Sequence, residues 1–238
     1  MSENNDIDVE LLICDVMAIK SPQTVCKTLS PAERQRLDGI TNAVQARLFL
    51  LGRYLLRQRL GRLLGQPPAT LEIGLSDKGK PELAGGGWQF NLSHSGSLLA
   101  LALSPHSAVG VDLERRQLEP ARITRLARRY LAGAEQAWLT QSRQPAQDFQ
   151  RLWTVKEAVL KAGGDGIANN LDRVEWRPGE PRAHFNERVY RLYQGRAADA
   201  SLTLAVAGEP GRLRRLSLAD CAPALEITGP QPNLAINP

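Results

Sequence analysis

Trp153-Thr154-Val155-Lys156-Glu157-Ala158-Val159-Leu160-Lys161 is the stretch on which the reading of this chain turns. Trp153, Glu157 and Lys161 stand four apart, a spacing that lines them along one side of a helix. Gly163-Gly164-Asp165-Gly166 stops that helix, as glycines do beyond a helix C-terminus. Upstream, Val109, Val111 and Leu113 alternate with Gly110, Asp112 and Glu114. At the strand period of two, Asp112 and Glu114 point to one face. Three carboxylates and a lysine brought together suit a hard divalent cation that holds a phosphate.

Working outward, the sequence slid against itself by 104 positions aligns two regions without gaps. Arg47-Leu48-Phe49 falls on Arg151-Leu152-Trp153, Arg53 on Glu157, Arg57 on Lys161, and 97–102 on 201–206. A fixed offset is how duplicated units show themselves. Ser30 and Pro31 open a short helix, and a long one follows over 43–64 until Gly65-Gln66-Pro67-Pro68. Strands are expected over 70–74, 88–93, 98–103 and 109–114. Helices follow over 122–131, 133–141 and 146–162, then strands over 171–176, 188–193, 201–207 and 213–218. This order predicts an α+β fold of two similar α/β halves, each with a small antiparallel sheet packed on a long helix. The halves are 1–106 and 107–238. Residues 1–8 and the Pro- and Asn-rich tail from Thr228 are expected to be poorly ordered.

The 238 residues suffice for one large domain or two small ones with an ample core. With 42% hydrophobic and 23% charged residues, the chain reads as an ordinary globular protein. A formal charge of +5 favours anionic partners. Its basic residues are scattered among acids and aromatics are few, which argues against nucleic acid as a partner. Cys14, Cys26 and Cys221 are odd in number and widely spaced, as suits a reducing compartment. The polar N-terminus has no apolar signal core, and no segment is long enough to span a bilayer. A cytoplasmic protein without a membrane partner is expected.

Trp88, Phe90 and Leu92 alternate as a buried strand face and Ser95-Gly96 reads as a turn, which puts His94 at a strand end beside a cleft. Lys78-Gly79-Lys80-Pro81 is a short basic loop with a glycine bend. Arg122, Arg125 and Arg129 share one helix face, opposite Ile123, Leu126 and Tyr130. That stripe is either a solvated face or a docking surface for a small acidic partner. Lys156 lies about 100° round the helix from Glu157 and is expected at the rim or tied to another carboxylate. Trp153 and Ala158 read as packing residues, and His106 and His184 as surface.

The Gly-x-Asp-x-Glu strand and the Trp-x-x-Lys-Glu-Ala-x-x-Lys helix together resemble the paired signature of the 4'-phosphopantetheinyl transferases, specifically the large, Sfp-type branch. Asn91-Leu92-Ser93-His94-Ser95-Gly96 and Gly79-Lys80-Pro81 are similar to two further motifs of that family, in the same order. The resemblance covers roughly residues 30–207. It implies a monomer of two halves related by a pseudo-twofold, with the active site in the cleft between them. The activity implied is transfer of the 4'-phosphopantetheine group of coenzyme A to a serine of apo acyl or peptidyl carrier proteins, which are acidic. The products would be holo carrier and adenosine 3',5'-bisphosphate, with Mg²⁺ as the metal.

The same resemblance assigns residues. Asp112, Glu114 and Glu157 would hold the metal. Glu157 would also take the proton of the attacking serine, and Lys161 would touch the pyrophosphate. Leu75, Ser76, Asp77, Lys78, Gly79 and Lys80 would cradle the adenine and 3'-phosphate, with Lys80 the main charged contact. His94 would donate to that phosphate, with Asn91, Leu92 and Ser93 beside the nucleotide. Arg53 matches a basic residue that some relatives aim at the same phosphate, and Arg47 is its rival. Arg34 and Arg36 follow Ser30-Pro31 as basic residues do in relatives, whereas Glu33 departs from that pattern. The N-terminal half would thus bind the nucleotide, and the C-terminal half would carry the carboxylates and dock the carrier.

Two other readings compete. A coenzyme-A-dependent acyltransferase would need the thiol end near a base and has no use for three carboxylates at the pyrophosphate. A non-catalytic coenzyme-A-binding module has no need of Glu157 and Lys161 together.

Overall fold

The computed structural model describes residues 9–20, 23–166 and 170–237. The first part contains β1 (Val9–Asp15), β2 (Ile19–Lys20), α1 (Pro31–Asp38), α2 (Ala43–Leu64), β3 (Ile73–Leu75), β4 (Pro81–Leu83), β5 (Gln89–Ser95) and β6 (Leu98–Ser104). The second opens with β7 (Val109–Glu114), α3 (Pro120–Tyr130), α4 (Gly133–Thr140) and α5 (Pro145–Gly163). It continues with β8 (Glu175–Trp176), β9 (Arg182–Phe185), β10 (Arg188–Ala197) and β11 (Ala200–Ala207). The last elements are β12 (Leu213–Leu216), α6 (Leu218–Cys221), β13 (Glu226–Ile227) and β14 (Leu234–Asn237).

Local signals set the two long helices. Asn42 caps α2 by accepting from the Gln45 amide, and Gly65 ends it in the left-handed conformation at φ 63°. Pro145 opens α5 and Gly164, at φ 74°, closes it. The α2 side chains Leu48, Leu51, Leu55 and Leu60 pack on Leu99, Leu101 and Leu103 of β6. The equivalent α5 face, with Leu152, Val155, Val159 and Leu160, packs with Tyr190, Leu192 and Ala205.

Alternation puts the other face of each strand into a third core. Leu98, Ala100 and Ala102 of β6 meet Leu202, Leu204 and Val206 of β11 there, so the sheets pack face to face with a long helix on either outside. The first sheet runs β12-β1-β6-β5 and the second β7-β11-β10-β9-β8, with β14 added to β10. Within them, β1-β6-β5 under α2 and β7-β11-β10 under α5 are two similar α/β units, as expected.

Several details differ from the expectation. The N-terminal strand β1 was not foreseen; it sits inside the first sheet, paired antiparallel to β6 and parallel to β12, so that sheet is not wholly antiparallel. Strand β12 and helix α6 come from beyond residue 207 yet complete the first core through Leu216, Leu218 and Cys221. The tail from Thr228 is not loose, because Leu234–Asn237 pairs with β10 and Ile236 is buried. The stretches expected as strands at 70–74 and 171–176 begin as 3₁₀ turns, Pro68–Thr70 and Leu171–Arg173. The expectation for residues 1–8 lies outside the described residues.

Candidate active site

Glycine 110 brings the site together. A Cβ there would stand 2.1 Å from the Ala158 carbonyl oxygen, so only glycine lets α5 lie directly on β7. With the helix this close, the α5 side of β7 holds Asp112 and Glu114 against Glu157 and Lys161. The Lys161 ammonium donates to Asp112 Oδ1 at 2.5 Å and lies 3.3 Å from Glu157 Oε2. These residues line a pocket of about 230 Å³ with Ser93, His94 and Trp153.

Asp112 is 3% exposed. Burial, with Glu157 adding to it, pushes its carboxyl up to about 7 against the pull of Lys161 and two hydrogen bonds. Burial alone would lower the Lys161 ammonium, but Asp112 and Glu157 outweigh it and hold it above the usual lysine range. Among the described residues, no three His, Cys, Asp or Glu side chains lie close enough to form a metal site as they stand. The chemistry of the donors nevertheless fits Mg²⁺: three carboxylates, oxygen ligands only, in a pocket that already accepts a positive charge.

A second cavity, of about 430 Å³, adjoins the first and shares Leu92 and His94 with it. Its lining includes Arg36, Phe49, Arg53, Leu75, Gly79 and Asn91. Arg36 and Arg53 both lie over the Phe49 ring, at 5.3 and 5.6 Å. Arg53 stands 3.7 Å from Glu33, too far to hydrogen-bond it, and its buried Nη1 has no partner. The adjacent Glu33 Oε1 is likewise buried without a hydrogen-bond partner, so Arg53 and Glu33 face each other as a loose ion pair. Burial first, then Arg36 and Arg57, lower its affinity for its proton, with Glu33 opposing. His94 is exposed at the cavity mouth; partial desolvation and the Lys161 charge push its imidazole below the usual histidine value.

The remaining residues singled out by sequence divide sharply. Arg47 is committed to the Val16 and Ile19 carbonyls, so of the two rivals Arg53, beside Arg36, is the one that lines the cavity. Lys80 donates to the Ala162 carbonyl at 3.1 Å and so caps the C-terminus of α5, and Lys78 pairs with Asp165 at 2.9 Å. Both tie the β3–β4 hairpin to the second half. Ser76 closes that hairpin, its hydroxyl accepting from the Lys80 amide, and Asp77 is exposed at its tip. Asn91 and Ser93 are buried and bonded to β7, accepting from the amides of Val111 and Leu113. Lys156 is tied to a carboxylate, Glu135, at 2.9 Å, and is fully buried. Arg122, Arg125 and Arg129 are exposed on α3, with Ile123 buried beneath.

Phe49, which lines the second cavity, and Ser95, which bonds a pocket carboxylate, were not read as site residues. Phe49 carried a signal in its four-residue spacing from Arg53. Ser95 hydrogen-bonds Glu114 at 3.2 Å, and its alternation with Asn91 and Ser93 was the available sign.

Comparison with known proteins adds independent findings. The family model described as "4'-phosphopantetheinyl transferase superfamily" matches residues 108–207. One described as "4'-phosphopantetheinyl transferase, N-terminal" matches 20–106. The chain is 38% identical over 168 residues to the 4'-phosphopantetheinyl transferase HetI of Nostoc sp., across 67% of this chain and 70% of that protein. It is 30% identical to a 4'-phosphopantetheinyl transferase of Bacillus subtilis, across 63% and 66% of the two chains. An L-aminoadipate-semialdehyde dehydrogenase-phosphopantetheinyl transferase of Xenopus laevis is 31% identical, across 63% of this chain and 54% of that one.

Proposed function

Because this chain belongs to the 4'-phosphopantetheinyl transferase superfamily, we propose that it transfers the 4'-phosphopantetheine group of coenzyme A to a serine of an apo carrier protein. The observation that carries this reading is the pair of adjoining pockets joined at His94. One is lined by the arginines Arg36 and Arg53, which suit an anion, and the other offers three carboxylates and a lysine. A nucleotide diphosphate ester has matching chemistry at its two ends. In this reading the Sfp-type division of labour holds: residues 1–106 bind the nucleotide and 107–238 carry the reacting groups.

Arg53 and His94 bind the 3'-phosphate, and Leu75 and Gly79 flank the adenine. Asp112, Glu114 and Glu157 would hold Mg²⁺, which when bound neutralises charge on the pyrophosphate. Lys161 donates to the departing phosphate oxygen. Glu157 takes the proton of the carrier serine as its oxygen attacks the pantetheine-side phosphorus. The P–O bond to adenosine 3',5'-bisphosphate breaks, and no covalent enzyme intermediate forms. The exposed Arg122, Arg125 and Arg129 steer an acidic carrier. In this reading the enzyme is a monomer that works in the cytoplasm, a reducing compartment that suits its three free thiols.

The test is incubation with coenzyme A, Mg²⁺ and a panel of apo carriers, followed by intact mass. A gain of one phosphopantetheine, lost on chelation, supports the reading. Carriers left unmodified, or an acyl transfer that survives chelation, would sink it.

A further inference from the structure

Two serines on β5 repeat one arrangement toward β7. Ser93 Oγ accepts from the Leu113 amide at 3.2 Å and donates to Asp112 Oδ1 at 3.1 Å. Two residues on, Ser95 Oγ accepts from the Arg115 amide at 2.9 Å and donates to Glu114 Oε1 at 3.2 Å. Asn91 begins the row by accepting from the Val111 amide at 2.9 Å, and there the preceding residue is Gly110, with no carboxylate to hold.

The physical reason lies in the sheet edge. Among the described residues strand β7 pairs with β11 on one side only, so alternate amides on its other side need acceptors. A hydroxyl has one proton and two lone pairs. Once its oxygen accepts from an edge amide, its proton is free for the carboxylate one residue back. An asparagine carbonyl meets the first need alone, and it stands at the one position without a carboxylate.

We infer that Ser95 is a positioning residue for Glu114, as Ser93 is for Asp112, the two hydroxyls bridging β7 edge amides to the carboxylates proposed to hold the metal. This rests on the reading of Asp112, Glu114 and Glu157 as metal ligands. Among the described residues, the Glu114 carboxylate otherwise accepts only from the Arg116 amide at 2.7 Å and lies 3.8 Å from the Arg116 guanidinium, both just past its own strand. Among the described residues, Ser95 is thus the hydrogen bond that ties the Glu114 carboxylate to the first half.

Direct Mn²⁺ titration of the whole protein, with and without coenzyme A and read by the electron paramagnetic resonance of free Mn²⁺, tests this without turnover. Ser95→Ala should weaken Mn²⁺ binding about tenfold, as loss of an outer partner of a metal ligand does. Ser95→Cys, which keeps the volume and loses the strong donor, should do the same. Ser95→Thr should restore affinity to near wild type. Wild type and Ser95→Ala binding Mn²⁺ alike would overturn the inference while leaving the metal reading intact. So would equal losses in Ala and Thr variants that track a fall in melting temperature. No Mn²⁺ bound by wild type in either condition would overturn the metal reading itself, and this inference with it.

Discussion

Arg57 in the first half and Lys156 in the second make the same set of bonds. Arg57 binds Glu33, the third residue of α1, and the carbonyls of Pro68 and Leu71 in the turn that leaves α2. Lys156 binds Glu135, the third residue of α4, and the carbonyls of Leu171 and Val174 in the turn that leaves α5. Each carboxylate also accepts from the backbone amide that starts its own short helix, that of Ser30 or Ala132. Both cations are fully buried. They make Lys156, not Lys161, the counterpart of Arg57, so the 104-residue alignment slips by more than a helical turn inside the helices. Arg53 therefore does not stand opposite Glu157. The duplicated feature is a cation that bolts each long helix to its exit turn. Glu157 and Lys161, the groups proposed to react, lie on a different face of α5 from that bolt.

That comparison is broken most directly at the bolts. Among the described residues Glu135 has no second cation, whereas Glu33 also faces Arg53. Lys156→Met strands a buried carboxylate and should cost about 3–5 kcal/mol of stability in urea denaturation. Arg57→Met leaves Glu33 partly compensated and should cost less, about 1–3 kcal/mol for the groups left unpaired. A larger loss at Arg57 would mean that the two bolts are not equivalent.

Glu157→Gln sharpens the other side of the contrast. It removes a pocket carboxylate without touching the bolt, so kcat should fall about a hundredfold or more while the urea midpoint holds. Near-normal kcat would remove Glu157 from the chemistry. Arg53→Ala should raise KM for coenzyme A about tenfold, the worth of one charge-assisted hydrogen bond, with kcat nearly kept. It should also abolish most of the preference over coenzyme A that lacks its 3'-phosphate. If that preference survives intact, Arg53 does not meet the phosphate. The smallest effect is expected at the rim: Arg122→Glu with Arg125→Glu should raise KM for carrier about threefold and leave that for coenzyme A unchanged, since rim charges mainly steer association. Unchanged carrier kinetics at low salt would return that stripe to a solvated face.

Both long helices and β7 were legible because their signals are local. The expected 43–64 and 109–114 coincide with α2 and β7, set by helical period, a glycine stop and strict alternation. Strand β1 was not legible: Val-Glu-Leu-Leu-Ile-Cys-Asp is a nearly continuous apolar run without alternation, since both of its faces are buried. Its partner β12 lies some two hundred residues away in the chain. Strand β14 hid in a Pro- and Asn-rich tail because its stability comes from the β10 edge rather than its own propensity.

By itself the sequence determined the two-half α+β class, and it put Asp112 with Glu114 on one strand face and Glu157 with Lys161 on one helix face, because period and spacing place side chains on a face within one element. Tertiary structure alone decided what each polar side chain bonds. Lys78 and Lys80 became tethers between the halves, and Arg47 a clamp on loop carbonyls, while Arg53 kept an unmet donor. Asn91, Ser93 and Ser95 became the seam along β7. The reason is that a buried polar group bonds whatever packing brings within reach, and packing here depends on elements distant in the chain.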